Sequence, residues 1–221
     1  MAKTSEHGRI IAAAAKAALA PLGCVRRGQS RIWQDDHRYW ALIVEFQPSG
    51  WSKGSYLNIH VAWLWKISHG YPFSYRAGAF VPFENVAQFL TPITELTQIA
   101  AVEIHKIRER FKSFADILDY ISTQAERKPD FWPTFDAAIA FGLSGDIAIS
   151  RRYFNQAVTL STSQSIWQSQ ARDSCLRFSE LLNSPRDYRE AVCANIAQRR
   201  RLMRLPPDLH CLDELGSKVG P

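Results

Sequence analysis

A chain of 221 residues, 46% hydrophobic and 22% charged, has the make-up of an ordinary globular protein and can bury a sizeable core. Its formal charge of +6 is compatible with an anionic partner, yet it is far less basic than histones or zinc-finger arrays. Cys24, Cys175, Cys193 and Cys211 are widely spaced with no C-x-x-C pair, which argues against a zinc centre or a secreted disulfide scaffold and reads as free thiols in a reducing cytoplasm.

Residues 5–20 are alanine-rich, with Ile10, Ile11, Ala14, Ala18 and Leu19 available to one face, and predict a helix that stops before Pro21 with Gly23 in the turn. Residues 10–20 resemble the apolar stretch of a signal peptide, but Lys16 interrupts them and they are too short to span a bilayer. No other segment reads as membrane-spanning. Arg31–Trp33 suggests a short strand, followed by a polar turn at Gln34-Asp35-Asp36-His37.

The stretch 38–65 predicts a β-hairpin around which the first half is organised. Trp40, Leu42, Val44 and Phe46 alternate with Tyr39, Ala41, Ile43, Glu45 and Gln47 before the loop PSGWSKG. Leu57, Ile59, Val61 and Trp63 alternate with Tyr56, Asn58, His60 and Ala62 after it. Putting both apolar sets on one face sets Glu45 opposite Asn58 and Ile43 opposite His60, because a slip of one residue would drive one set into water. Trp63 and Trp65 share the parity of the core set. Residues 71–82, limited by Pro72 and Pro82, read as a fourth strand or extended segment. The expected fold is α+β: a three- or four-stranded antiparallel sheet over about residues 31–80, with helices, in a domain spanning 1–126.

From Phe83 the period becomes helical, through Val86, Leu90, Ile93, Leu96, Ala100, Ile104, Ile107 and Phe111, with a break or kink expected at Pro92. Ser113-x-x-Asp116 reads as a capping box. The segment AERKPDFWP is the candidate boundary, and beyond it residues 131–207 read as an all-helical subdomain. Pro133 suits a first helical position, Gly142 and Gly145 close that helix, and Asp146 caps the next. Ser163 opens a helix reaching Leu182, and Ser184-Pro185-x-Asp187 opens the last, stopped by Pro206-Pro207; residues 208–221 read as a loose tail. Ala138, Gly142 and Ala157 supply the small side chains that let two antiparallel helices approach closely.

No hydrolase, kinase, dinucleotide or zinc-protease signature is present, and no metal or cofactor site is legible. The sheet face opposite the core gathers Tyr39, Glu45, Gln47, Tyr56, Asn58 and His60. Its bland role is a solvated or helix-covered polar face; its chemical one is a Glu45–His60 carboxylate–imidazole pair, with Asn58 beside it. Trp51, among Gly, Ser and Lys at the hairpin tip, either folds back over the sheet edge, the more ordinary outcome, or is offered to a partner. Basic residues cluster at Arg26-Arg27, at Arg151-Arg152, and at Arg199-Arg200-Arg201 with Arg204. The last group falls where cations offset the partial negative charge at a helix C-terminus, and nucleic-acid binding is the weaker alternative for it.

The order of features in residues 5–82 resembles a family of uncharacterised bacterial α+β domains of unknown function. The matching residues are Leu22-Gly23, Arg26-Arg27-Gly28, Trp33, Phe46-Gln47 and Leu57-Asn58-Ile59, with Cys24 standing where the family usually has an aromatic. The resemblance implies an α+β fold in a bacterial protein and carries over no catalytic residue. Together these readings favour a non-enzymatic, cytoplasmic protein-binding module, with homodimerisation open. The alternatives are ligand binding or catalysis at the polar sheet face and nucleic-acid binding through the arginines.

Overall fold

The computed structural model describes residues 5–66, 74–161 and 166–215. The chain forms two compact units, one of Met1–Ala62 with His69–Glu109 and the other of Trp63–Ser68 with Arg110–Pro221.

In the first unit, α1 (Glu6–Leu19) is capped by Ser5, whose side chain accepts from the Gly8 amide, and buries Ile11, Ala15 and Leu19 at four-residue intervals. Pro21 does not end the helical path abruptly: it sits in a short 3₁₀ turn, Ala20–Leu22. The sheet that follows is an antiparallel meander of five strands, β1 (Val25–Arg26), β2 (Ile32–His37), β3 (Trp40–Gln47), β4 (Gly54–Trp63) and β5 (Tyr75–Pro82), neighbouring in chain order. The α+β class holds, with five strands rather than three or four.

Two differences account for the extra strand. The residues read as a polar turn, Gln34–His37, belong to β2, and the reversal falls instead at Arg38-Tyr39, where Arg38 has φ 66° and Asp36 accepts from its amide. The two-residue β1 then pairs with β2, Val25 opposite Gln34. Gln34 and Asp35 are buried despite their polarity. At Asp35 that is tolerable because hydrogen bonds described below satisfy the carboxylate.

The strands β3 and β4 fall inside the predicted hairpin. Five consecutive residues of β3, Trp40–Val44, are buried, so both its faces are covered and Ile43 and Ala62 are interior, while Val61, expected in the core, is only half-buried. Between β4 and β5 the register slips at Tyr56, from Ser55 opposite Val81 to Leu57 opposite Ala77, leaving Gly78–Phe80 as a bulge. Gly78, at φ 71°, closes this bulge, and a Cβ there would stand 3.0 Å from Leu96 Cδ1. The first residues of the expected fourth strand, 71–73, lie outside the described residues.

Helix α2 (Val86–Arg110) begins at Asn85, whose side chain accepts from the Gln88 amide, and runs unbroken through Pro92. The expected break does not occur. A mid-helix proline costs about 3 kcal/mol, which fully burying Phe89 and Ile93 on either side offsets at about 1.5–3 kcal/mol each. Val86 and Leu90, assigned by periodicity to the buried stripe, are exposed.

The second unit holds α3 (Phe114–Arg127), α4 (Phe131–Ser144), α5 (Ile147–Leu160), α6 (Ile166–Leu181) and α7 (Pro185–Met203). The Ser113/Asp116 capping box opens α3 as expected. Asp130 caps α4, which places Pro133 at its third residue rather than its first, still where its missing amide is not needed. Asp146 accepts from the Ile149 amide to start α5. Against α4, Ser150 donates to the Ala138 carbonyl at 2.7 Å, and Ala138 and Ala157 are fully buried. Gly142 is interior to α4 rather than a terminator, because a Cβ there would collide with the ring and hydroxyl of Tyr188. Ser163, expected to open the following helix, lies outside the described residues.

Around these helices Phe135, Phe154, Phe178 and Tyr188 form a continuous aromatic core. Helix α7 ends at Arg204 (φ 60°), two residues before Pro206-Pro207. The segment expected to be a loose tail is anchored at its middle: Cys211 and Leu212 are buried and Arg189 donates to the Leu212 carbonyl at 2.7 Å, while Leu209, Asp213 and Glu214 are exposed.

Candidate functional site

The hairpin tip is an ordered turn. The Ser49 hydroxyl accepts from the amides of Trp51 (3.1 Å) and Ser52 (3.4 Å), which fixes the backbone and turns the indole outward. Trp51 is 100% exposed, so it does not fold back over the sheet edge. His7, Pro48 and the loop residues to Gly54 line a depression of about 360 Å³ beneath it. The surroundings are cationic: Arg31 donates to the Gly54 carbonyl, and burial, followed by the nearby charges of Arg31 and Lys53, holds the His7 pKa below its usual value.

The first turns of α1 continue this surface. Glu6, Arg9, Ile10, Ala13 and Ala14 line an open groove of about 440 Å³ with Val86, Leu90 and Thr94 of α2. Its floor is apolar and its rim carries Glu6 and Arg9.

On the polar sheet face Asn58 is buried and central. Its amide donates to Glu45 (3.2 Å) and to Gln47 (2.8 Å), while the Arg76 guanidinium reaches Gln47 at 3.4 Å and stacks 3.8 Å over the Tyr56 ring. His60 instead engages Ser74 through Nδ1 at 2.8 Å. Glu45 and His60 are thus held by different partners, and Tyr39 is buried.

A charged cluster that the sequence did not reveal sits on the opposite face of β2. Arg108 of α2 clamps both oxygens of Asp35 at 2.8 Å and donates to the Leu22 carbonyl at 2.6 Å, while His37 approaches Asp35 at 2.8 Å and stacks on Trp40. Burial works to raise the Asp35 pKa, but the hydrogen bonds from His37 and Arg108 outweigh it and hold the carboxyl below its usual range. The adjacent Cys24 thiol is pushed up to about 12, chiefly by burial and then by the Asp35 charge, so it is no nucleophile. The cluster ties the turn after α1 to β2 and α2. Its one legible sign was the D-x-H spacing, which on a strand puts both side chains on one face.

In the second unit, Asp136 receives hydrogen bonds from Trp65 Nε1 (3.1 Å) and Lys66 Nζ (2.8 Å), and Asn195 donates to the Trp65 carbonyl. The expected core placement of Trp63 and Trp65 holds; their rings stack at 5.5 Å. The C-terminal arginines divide: Arg199 and Arg200 are each 3% exposed, with Arg200 donating to the Pro206 carbonyl at 2.7 Å, whereas Arg201 and Arg204 are on the surface. Among the described residues no group of three or more His, Cys, Asp or Glu is arranged to hold a metal ion, and no helix is long and apolar enough to cross a membrane.

No family model matches this chain, no curated protein matches it, and no solved structure matches it.

Proposed function

We propose that this is a protein-binding module that docks a partner on the hairpin tip, with Trp51 as the anchor. The observation that carries this reading is a fully exposed tryptophan on a hydrogen-bonded turn. A tryptophan buries roughly 150–250 Å² on docking, which at about 25 cal/mol per Å² is about 4–6 kcal/mol before the costs of association. An ordered loop spends little of that gain on becoming ordered. Lys53 beside the indole, with Arg31 on the Gly54 carbonyl at the edge of the loop, favours a segment of acidic and apolar side chains, and the α1/α2 groove offers it an apolar track. The setting is a bacterial cytoplasm, in line with the resemblance of residues 5–82 and with four cysteines that stand as free thiols.

The test is quantitative capture from an extract of the cells that make the protein, comparing the wild type with Trp51→Ala. Partners bound through the tip are retained at least tenfold less by the variant, while its circular dichroism and unfolding midpoint stay at wild-type values. Equal retention by both proteins refutes the reading. Loss of self-association instead, measured by light scattering of the purified protein, would make a second copy of this chain the occupant.

A further inference from the structure

Two of the four cysteines meet. Cys193, near the middle of α7, and Cys211, on the segment that returns along that helix, bring their sulfurs to 3.6 Å. A disulfide requires about 2.0 Å, so the remaining approach is about 1.6 Å, shared between two side chains. Cys193 is partly exposed and Cys211 is buried, so the first is the thiol a reagent in solution reaches. The returning segment is held in place independently of the sulfurs, by Arg189 on the Leu212 carbonyl and by Arg200 on the Pro206 carbonyl.

We propose that Cys193 and Cys211 form a redox-active dithiol that a low-molecular-weight disulfide converts to an intramolecular disulfide, stapling the C-terminal segment to α7. Cys193 attacks. The Cys211 thiol donates toward its sulfur and Arg189 lies nearby, and these lower its pKa against the opposing effects of burial and of Asp213 and Asp208. The hydrogen bond to Cys193 and burial raise Cys211, which therefore acts second. On the same segment His210 is engaged with Asp213, and Glu214 is exposed.

The steps balance. The Cys193 thiolate forms a bond to one sulfur of the small disulfide, whose S–S bond breaks and releases one thiolate. Cys211 then loses its proton to solvent and attacks the Cys193 sulfur, expelling the second thiolate. Two protein thiols are oxidised and one small disulfide is reduced to two small thiols.

Cys24 and Cys175 serve as internal controls, since both are buried with pKa values pushed up to about 12. The experiment incubates the native, reduced protein with oxidised glutathione, quenches with acid, alkylates, and reads intact mass and non-reduced peptide maps. The expected product is a monomer lighter by two hydrogens, carrying a Cys193–Cys211 cross-linked peptide, with Cys24 and Cys175 alkylated. Cys211→Ser should stop at a stable glutathione adduct on Cys193, and Cys193→Ser should leave Cys211 as a thiol. A wild-type protein that stays reduced, stops at the Cys193 adduct, or cross-links between chains overturns the proposal. So does a bridge that forms only after denaturation.

Discussion

Replacing Gly142 by alanine sets two well-understood effects against each other. In an exposed helix interior the change stabilises by about 1 kcal/mol, because glycine is a poor helix former. Here the new methyl group would be driven into Tyr188, which is fully buried and whose hydroxyl donates to the Ile139 carbonyl at 3.1 Å. Overpacking a tight core costs about 1–3 kcal/mol. Displacing the hydroxyl from its acceptor leaves it buried and unsatisfied, for about another 1–3 kcal/mol. After allowing for the propensity gain, the net expectation is a loss of about 3 kcal/mol. Urea unfolding followed by far-ultraviolet circular dichroism measures it. Since the tyrosine oxygen is the nearest atom to the added carbon, the double variant Gly142→Ala/Tyr188→Phe should recover about 1–2 kcal/mol relative to additivity. A Gly142→Ala protein as stable as the wild type, or strictly additive losses in the cycle, would refute the close α4–α7 contact.

Three further outcomes test the first unit. Arg108→Ala removes the clamp on a buried carboxylate and should cost about 2–4 kcal/mol at neutral pH, the clamp being partly solvent-exposed. The Asp35 pKa is depressed in the folded state, so its contribution is present above the unfolded value of about 3.9 and is lost as pH falls through the folded value. The stability gap between Arg108→Ala and the wild type should therefore narrow below about pH 4, and a pH-independent gap would contradict the pairing. Pro92→Ala should stabilise by about 1–3 kcal/mol, read as a higher urea midpoint, because the proline lacks the amide that a continuous helix would use there; a neutral or destabilising result would argue against an unbroken helix. Asn58→Asp removes the donor shared by Glu45 and Gln47 and adds a buried charge beside Glu45, so a loss of about 2–4 kcal/mol is expected by the same unfolding assay, easing at acid pH.

What the sequence determined by itself is everything decided within a few residues. The 3.6-residue period and the caps at Ser113 and Asp146 locate helix starts, because a cap binds amides only two or three positions away. Period-two alternation located β3 and β4, and the parity argument put Asn58 beside Glu45, where the hydrogen bond is found. The failures share one cause, which is that a partner distant in the chain outweighs a local preference. Gln34–His37 looks like a turn until Arg108, 73 residues on from Asp35, satisfies that carboxylate inside the core. Pro92 reads as a break until Phe89 and Ile93 are seen buried on either side of it. Gly142 reads as a terminator until Tyr188 occupies the space its missing side chain leaves. Trp51 is the converse, an apolar side chain that the local turn holds out in water. Nothing in the spacing of Cys193 and Cys211 brings their sulfurs together; the reversal of the chain after Met203 does, and such long-range closure is decided by packing energy that no local window of sequence contains.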